Sequence, residues 1–500
     1  MDFERSSGIF LHLTSLPSRD GVGTLGEPAE QFVDYLDSAG QRLWQICPLG
    51  PTDGAFGNSP YQTHSSFAGN PLLISLEELV ADGWLTDDDL ADRPDFDDHW
   101  VEYDRVGEYK ERTLRTAFER FQETAGESER QALDEFAADN DGWLADYALF
   151  RALKTHFDGD GWTQWPADAK QRDPDALDRY REQLAEEVRF REFVQWCFDR
   201  QWNRLREYAN DHGVRIIGDM PIYMGMDSAD VWANPELFDL DEHNEPAAVA
   251  GMPTNPDGDG TGQRWGNPLY DWGAMAEDDY AWWVRRFEAL LSRVDITRVD
   301  HFKGFESYWA VPADAPTAAD GEWRDGPGRE LFETVESELG ELPIIVENLG
   351  GVTPELHELR ESLGAPGMNV ALYADWCTED HMYMPHVYPQ DSVAYTSTHD
   401  TNTVMGWYRD EASDRQRDCL HFYMDADGHD INWDILDAVW AADSIFAITQ
   451  MQDLLGLGSQ TRFNTPGTAE GNWTWRITDG GLDQGVAQRL RDVTERHARD

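Results

Sequence analysis

Ile296-Thr297-Arg298-Val299-Asp300-His301-Phe302 opens on β-branched residues and closes on an aspartate and a histidine. Such a run reads as a short strand whose C-terminal end presents polar groups. Seven runs of the same kind lie on either side of it: Gly8–Leu16, Arg42–Leu49, Val214–Ile222, Pro343–Leu349, Gly367–Tyr373, Ser392–Thr398 and Ser444–Gln450. Most are separated by helical patterns. Val194, Cys197, Leu205 and Tyr208 recur at helical spacing within Arg191–Tyr208, as do Trp283, Phe287 and Leu290 within Asp278–Leu291. Asp211-His212-Gly213 supplies a C-terminal stop for the first of these helices. Eight strands alternating with helices fit an α/β fold of the (β/α)8 TIM-barrel type better than a doubly wound sheet.

The spacing between runs is uneven. Roughly 160 residues separate the second and third, far beyond an ordinary βα connection. The expectation is one catalytic barrel over residues 1–500, with an inserted, mainly helical subdomain at 55–210. Residues 223–272, rich in Gly, Pro, Asn and Asp, read as a loop excursion over the active-site cleft, one of the long loops on the C-terminal face.

Composition narrows the function. The chain has 500 residues, 40% of them apolar, and 21 tryptophans, which excludes a disordered chain. No apolar run approaches the ~20 residues that span a bilayer, and Met1–Ser7 lacks the parts of a signal peptide, so a cytoplasmic address and no membrane partner are expected. The net charge is −57, with lysine only at 110, 154, 170 and 303. Such a surface repels itself in dilute salt and is screened in molar salt, which points to a halophilic protein. It also disfavours nucleic acid, which needs a basic footprint. Cys47, Cys197, Cys377 and Cys419 are scattered and suggest neither a disulfide framework nor a zinc site.

Barrel enzymes carry function where strands end. Asp300 lies near the end of the fourth run, Glu347 near the end of the fifth, and Asp400 just after the seventh, so three carboxylates face one cleft with Arg298 and His399 beside them. Retaining glycosyl transfer uses a carboxylate nucleophile and a carboxylic acid about 5–5.5 Å apart, and neighbouring strands lie ~4.8 Å apart. Asp300 and Glu347 suit that pair. Arg298, two residues before Asp300, shares its side of the strand and would pair with it, while crowded negative charge would keep Glu347 protonated. Asp400 would hold substrate hydroxyls. In a chain with 97 acidic residues, one carboxylate at a strand end is expected by chance; three, two of them with a polar or cationic escort, make surface charge or structural hydrogen bonding the lesser reading, which the residues alone leave open. Metal hydrolysis would also use Asp, Glu and His, but no HxH or HExxH spacing occurs.

The residues also carry a resemblance. Gly8-Ile9-Phe10-Leu11-His12-Leu13-Thr14-Ser15-Leu16-Pro17, Trp44–Pro51, Ser59-Pro60-Tyr61-Gln62, Phe67–Pro71, Gly218–Tyr223, Asp227–Trp232, Gly262–Pro268, Asn464–Thr468 and Gly471-Asn472-Trp473 follow in one order. In that order they resemble the amylomaltases, 4-α-glucanotransferases related to the α-amylase superfamily. The resemblance implies Asp300 as nucleophile, Glu347 as acid/base and Asp400 as transition-state stabiliser. It also implies Tyr61, Asp219, Gln263, Trp265, Arg298, His399 and Asn464 as substrate-binding residues, with no cofactor and no metal. Donors and acceptors would be α-1,4-glucans, maltodextrins and glucose. Oligomeric state is not legible.

Three departures stand out against the family pattern. Asn348 replaces an aspartate, which should lower the pKa of Glu347. Met252–Gly260 lacks the aromatic usual there, and Leu372 replaces a glutamine. The expected reaction is a two-step retaining transfer of a glucan segment to a sugar 4-hydroxyl. The competing readings are a hydrolase of the same clan, or a non-catalytic glucan-binding protein.

Overall fold

The computed structural model describes residues 3–253, 261–468 and 470–500. Its strands are β1 (Ser6–Phe10), β2 (Leu43–Gln45), β3 (Arg215–Met220), β4 (Ala248–Met252), β5 (Gln263–Pro268), β6 (Ile296–Val299), β7 (Ser307–Pro312), β8 (Glu322–Asp325), β9 (Ile344–Val346), β10 (Gly367–Val370), β11 (Ser392–Tyr395) and β12 (Phe446–Gln450). Eight of them close into a barrel in the order β1-β12-β11-β10-β9-β6-β3-β2. Every neighbouring pair in it is parallel. The eight runs read from sequence are these eight strands. Most of their residues are buried, as a parallel sheet covered by helices requires. At Gly8 a side chain would collide with the Leu43 carbonyl, so only glycine lets β1 approach β2.

The runs overshoot the strands at their C-terminal ends. β6 stops at Val299, β9 at Val346 and β11 at Tyr395, and the polar residues beyond them are turns. Those turns are where the site is built.

Helices Tyr103–Thr124, Glu127–Asp139, Asp141–His156, Pro174–Gln183 and Ala185–Asp211 lie between β2 and β3. The last returns to the barrel, where the Trp202 indole donates to the Arg293 carbonyl at 3.1 Å. It ends at Asp211, with Gly213 at φ 71°, the left-handed stop expected of that glycine. The helix expected over Asp278–Leu291 starts at Ala281, because Asp279 and Tyr280 are left-handed (φ 48° and 51°) and cannot belong to its first turn.

Two expectations need correction. Residues 223–272 are not loop throughout. β4 and β5 lie within them and join β7 and β8 in an antiparallel sheet ordered β5-β4-β7-β8. Cys377 and Cys419 form a disulfide across 42 residues of sequence, which no spacing rule reveals because the fold alone brings them together. Cys47 and Cys197 are free and buried. Among the described residues, no helix is long and apolar enough to cross a membrane.

Candidate active site

The ends of β3, β6 and β9 are stitched together by backbone hydrogen bonds beyond the strands. Asp300 N–H donates to the Met220 carbonyl at 3.0 Å, Glu347 N–H to Val299 at 2.9 Å, and Phe302 N–H to Glu347 at 3.0 Å. Val299 pairs with Val346, so Asp300 and Glu347 are the first residues beyond two adjacent strand ends. This is the juxtaposition a carboxylate pair needs, at the ~4.8 Å spacing of neighbouring strands.

Arg298 organises the floor of the site. Its side chain is 4% exposed, and Nη1 lies 2.8 Å from Asp300 Oδ1, 2.9 Å from Asp219 Oδ1 and 2.7 Å from Asp219 Oδ2. The Tyr61 hydroxyl donates to Asp219 Oδ2 at 2.9 Å. Burial pushes Asp219 up to about 6, against the pull of Arg298. Asp219, fully enclosed, is held as the partner of the guanidinium, and Asp300, 23% exposed, faces the cleft.

Glu347 behaves differently. Burial, reinforced by the charge on Asp300, pushes it up to about 7, although Arg298 opposes the shift. Oε1 accepts from the Leu349 N–H at 2.9 Å. The neighbouring Asn348 turns to β10, where its side-chain oxygen accepts from the Met368 N–H at 2.8 Å.

The third carboxylate stands on a turn fixed from below. Asp453, buried, accepts from Thr396 Oγ1 and the Val404 N–H, both at 2.7 Å, and from Ser397. Above that anchor, Asn464 Nδ2 donates to Asp400 Oδ1 at 2.6 Å and His399 Nε2 lies 3.3 Å from Asp400 Oδ2. Burial opposes the charge on Asp400, yet His399 and Asn464 hold its carboxyl well below the usual range. His399 is raised in turn: burial works against the imidazolium, and Asp400 outweighs it. His12, beside His399, is pushed down to about 3 by burial and stays neutral.

Aromatic rings form the walls. Tyr61 stacks on His399 with centroids 5.1 Å apart, and Trp473 lies 5.7 Å from Tyr61. Trp265, half-buried, meets the His301 ring edge-on at 4.9 Å, and its indole donates to exposed Gln263 at 2.9 Å. His301 adopts φ 46°, an uncommon conformation for a non-glycine residue, directly after Asp300.

The structure therefore gathers Asp300, Glu347, Asp400, Tyr61, Asp219, Arg298, His399 and Asn464 into connected networks, with Gln263 and Trp265 attached through His301. Most of the Met252–Gly260 segment, Thr254–Gly260, lies outside the described residues. Sequence reasoning overlooked Arg462, whose Nη2 donates to the Asp400 carbonyl at 2.7 Å, and Tyr373, 43% exposed and within electrostatic reach of Asp400 and Glu347. Arg462 stands two residues before the Asn464 motif, the one signal that would have found it. Among the described residues, no cluster of three or more His, Cys, Asp or Glu side chains could hold a metal ion.

Residues 11–482 match the sequence model of the family described as 4-alpha-glucanotransferase, glycoside hydrolase family 77. The 4-alpha-glucanotransferase of Synechocystis is 44% identical over 500 residues, covering 99% of this chain and 98% of the relative. That of Thermus thermophilus is 42% identical, covering 99% of each. The structure of Streptococcus agalactiae amylomaltase in complex with acarbose superposes with a TM-score of 0.95 at 38% identity, covering 99% of this chain and all of that one.

Proposed function

The chain belongs to the 4-alpha-glucanotransferase family, and from that premise we propose how its residues divide the work of the reaction. The enzyme transfers α-1,4-glucan segments among maltodextrins and glucose. Asp300 attacks the anomeric carbon while Glu347 gives its proton to the departing 4-oxygen, leaving a glycosyl-enzyme ester. Glu347 then takes the proton of an incoming sugar 4-hydroxyl, which attacks the same carbon and releases Asp300. The observation that carries the assignment is the different setting of two adjacent carboxyls. Asp300 is ion-paired with Arg298, whereas Glu347 is pushed up to about 7.

Asp400, held charged by His399 and Asn464, is suited to grip the hydroxyls of the reacting sugar and to oppose the positive charge of an oxocarbenium-like transition state. Tyr61, Trp265 and Gln263 supply ring faces and an amide for neighbouring glucose units. The acarbose bound by the Streptococcus agalactiae relative supports an oligosaccharide in this cleft. Transfer prevails over hydrolysis when acceptor sugar excludes water from the ester.

We also assign residues 55–210 to an inserted helical subdomain and residues 223–272 to the cover of the cleft. The net charge of −57 supports a halophilic, cytoplasmic setting. Three of the four lysines, Lys110, Lys154 and Lys303, are buried against Asp20, Asp227 and Glu306, so they do little to offset the acidic surface. The Cys377–Cys419 disulfide is the feature that weighs against a reducing compartment.

The test is incubation with maltotriose in molar KCl, followed by separation of products by length. A ladder of longer maltodextrins with free glucose supports the transferase reading. Glucose and maltose with nothing longer than the substrate would assign the protein to hydrolysis.

A further inference from the structure

The segment 371–388 lies between the catalytic carboxylates and a separate cleft. On one side the ring of Tyr373, 5.6 Å from that of Tyr383, looks towards Glu347 and Asp400. On the other, Trp376 and Met384 line a cleft of about 990 Å³ that none of the catalytic carboxylates touches. Its remaining walls come from the helices Asp414–Met424, Ile431–Ala441 and Gln484–Arg496. The volume is at the upper end of ordinary ligand sites, and the Cys377–Cys419 disulfide ties two of its walls together.

The chemistry of the cleft is selective. Phe422 is 91% exposed, the highest value among the large apolar side chains described, and Tyr423 and Trp376 lie with it. Tyr423 is half-buried and Trp376 buried, so Phe422 supplies the exposed ring in a cleft lined by further aromatic side chains, an apolar platform for a ligand. Around the rings stand Asp434 and Asp492, the second already accepting from Gln488 Nε2 at 2.8 Å. The guanidiniums are engaged: Arg489 with Asp430 at 3.0 Å and over the Trp433 ring at 4.1 Å, and Arg496 with Asp437 at 2.7 Å. With its guanidiniums paired and Asp434 and Glu379 also on its walls, the cleft repels anions. It suits a neutral ligand that offers hydroxyl donors on its rim and apolar faces above and below. A glucose ring has that form.

We propose that this cleft is a second glucan-binding site, which holds a remote stretch of a long α-1,4-glucan while another part of the chain is processed in the barrel. The proposal rests on the glucanotransferase reading. Tethering raises the local concentration of chain ends at the catalytic cleft without any new contact there. A trisaccharide is too short to occupy both places, so only long donors gain.

The experiment compares KM for amylose and for maltotriose in the wild type, Phe422→Ala, Asp434→Ala and Phe422→Trp, with sedimentation of each protein. The expected result is a rise of about three- to tenfold in KM for amylose in the first two variants, the loss of one ring or hydroxyl contact. Maltotriose kinetics stay at the wild-type value, and Phe422→Trp retains the wild-type KM for amylose. Unchanged KM for amylose in both variants would overturn the proposal. So would a parallel loss on maltotriose, or a wild type that sediments as a dimer beside a monomeric Phe422→Ala of unchanged KM, which would make the face a contact between two copies of this chain. If the wild type itself yields no ladder from maltotriose, the transferase reading fails instead.

Discussion

Arg298 and Asp300 occupy the same side of one strand end, with Nη1 of the first 2.8 Å from Oδ1 of the second, and the guanidinium simultaneously embraces Asp219. One buried cation thus serves one carboxylate that faces substrate and another that does not. Removing it in Arg298→Ala strands Asp219 without a counter-charge. Breaking such a pair costs about 3–5 kcal/mol, so the variant should unfold at markedly lower denaturant as well as lose activity. A variant of wild-type stability would show that Asp219 does not depend on Arg298.

Glu347 links activity and stability to pH. As the acid it must be protonated, so kcat/KM should fall as pH rises through about 7. Its pKa in the fold is raised above the unfolded value. Its contribution to stability is therefore complete below about 4.5 and is lost as pH rises through about 7. Glu347→Gln should accordingly be inactive yet more stable than the wild type at pH 8, by up to about 3 kcal/mol, and no more stable at pH 4.5. Asn348→Asp should move the alkaline limb of the activity profile upwards, since a neighbouring negative charge disfavours ionisation. An alkaline limb that does not move in Asn348→Asp would belong to another group.

Salt should stabilise the fold. At 0.01 M the Debye length is about 30 Å, and at 1 M about 3 Å, so the repulsion behind a net charge of −57 is screened only in the second case. Thermal unfolding in molar KCl is expected at a clearly higher temperature than in dilute buffer. Equal midpoints would remove the case for a halophilic protein.

The disulfide can be counted. Denatured protein isolated under alkylating conditions should show two reactive thiols, Cys47 and Cys197, and four after reduction. Closing a loop of 42 residues stabilises by about 2–4 kcal/mol, so Cys419→Ser should unfold earlier by that amount. Four thiols before reduction would leave the second cleft without its staple.

Much of this was legible in the sequence because parallel barrel strands are buried on both faces and so read as β-rich runs. Asp300, Glu347 and Asp400 stood out because chemistry collects where those runs stop. What escaped notice has physical reasons. β5 is largely exposed over Gln263–Gly266 and carries no apolar alternation, so it looked like the loop around it. Cys377 and Cys419 meet only through the packing of the segment after β10 against helix Asp414–Met424. Tyr373 sits at the cleft because that same segment folds over the strand ends, and Asn348 turns to Met368, a direction that residue type alone does not reveal.

The division of labour between Asp300 and Glu347 is tested most directly by azide rescue with α-maltotriosyl fluoride, whose leaving group needs no acid. In Glu347→Ala the glycosyl-enzyme still forms on Asp300, and azide displaces it to give the α-glycosyl azide. In Asp300→Ala no ester can form, and azide entering the vacated space attacks the fluoride directly to give the β-glycosyl azide. That pair of products is the predicted result. The opposite pair, or an α-azide from Asp300→Ala, would contradict the assignment of Asp300 as the nucleophile.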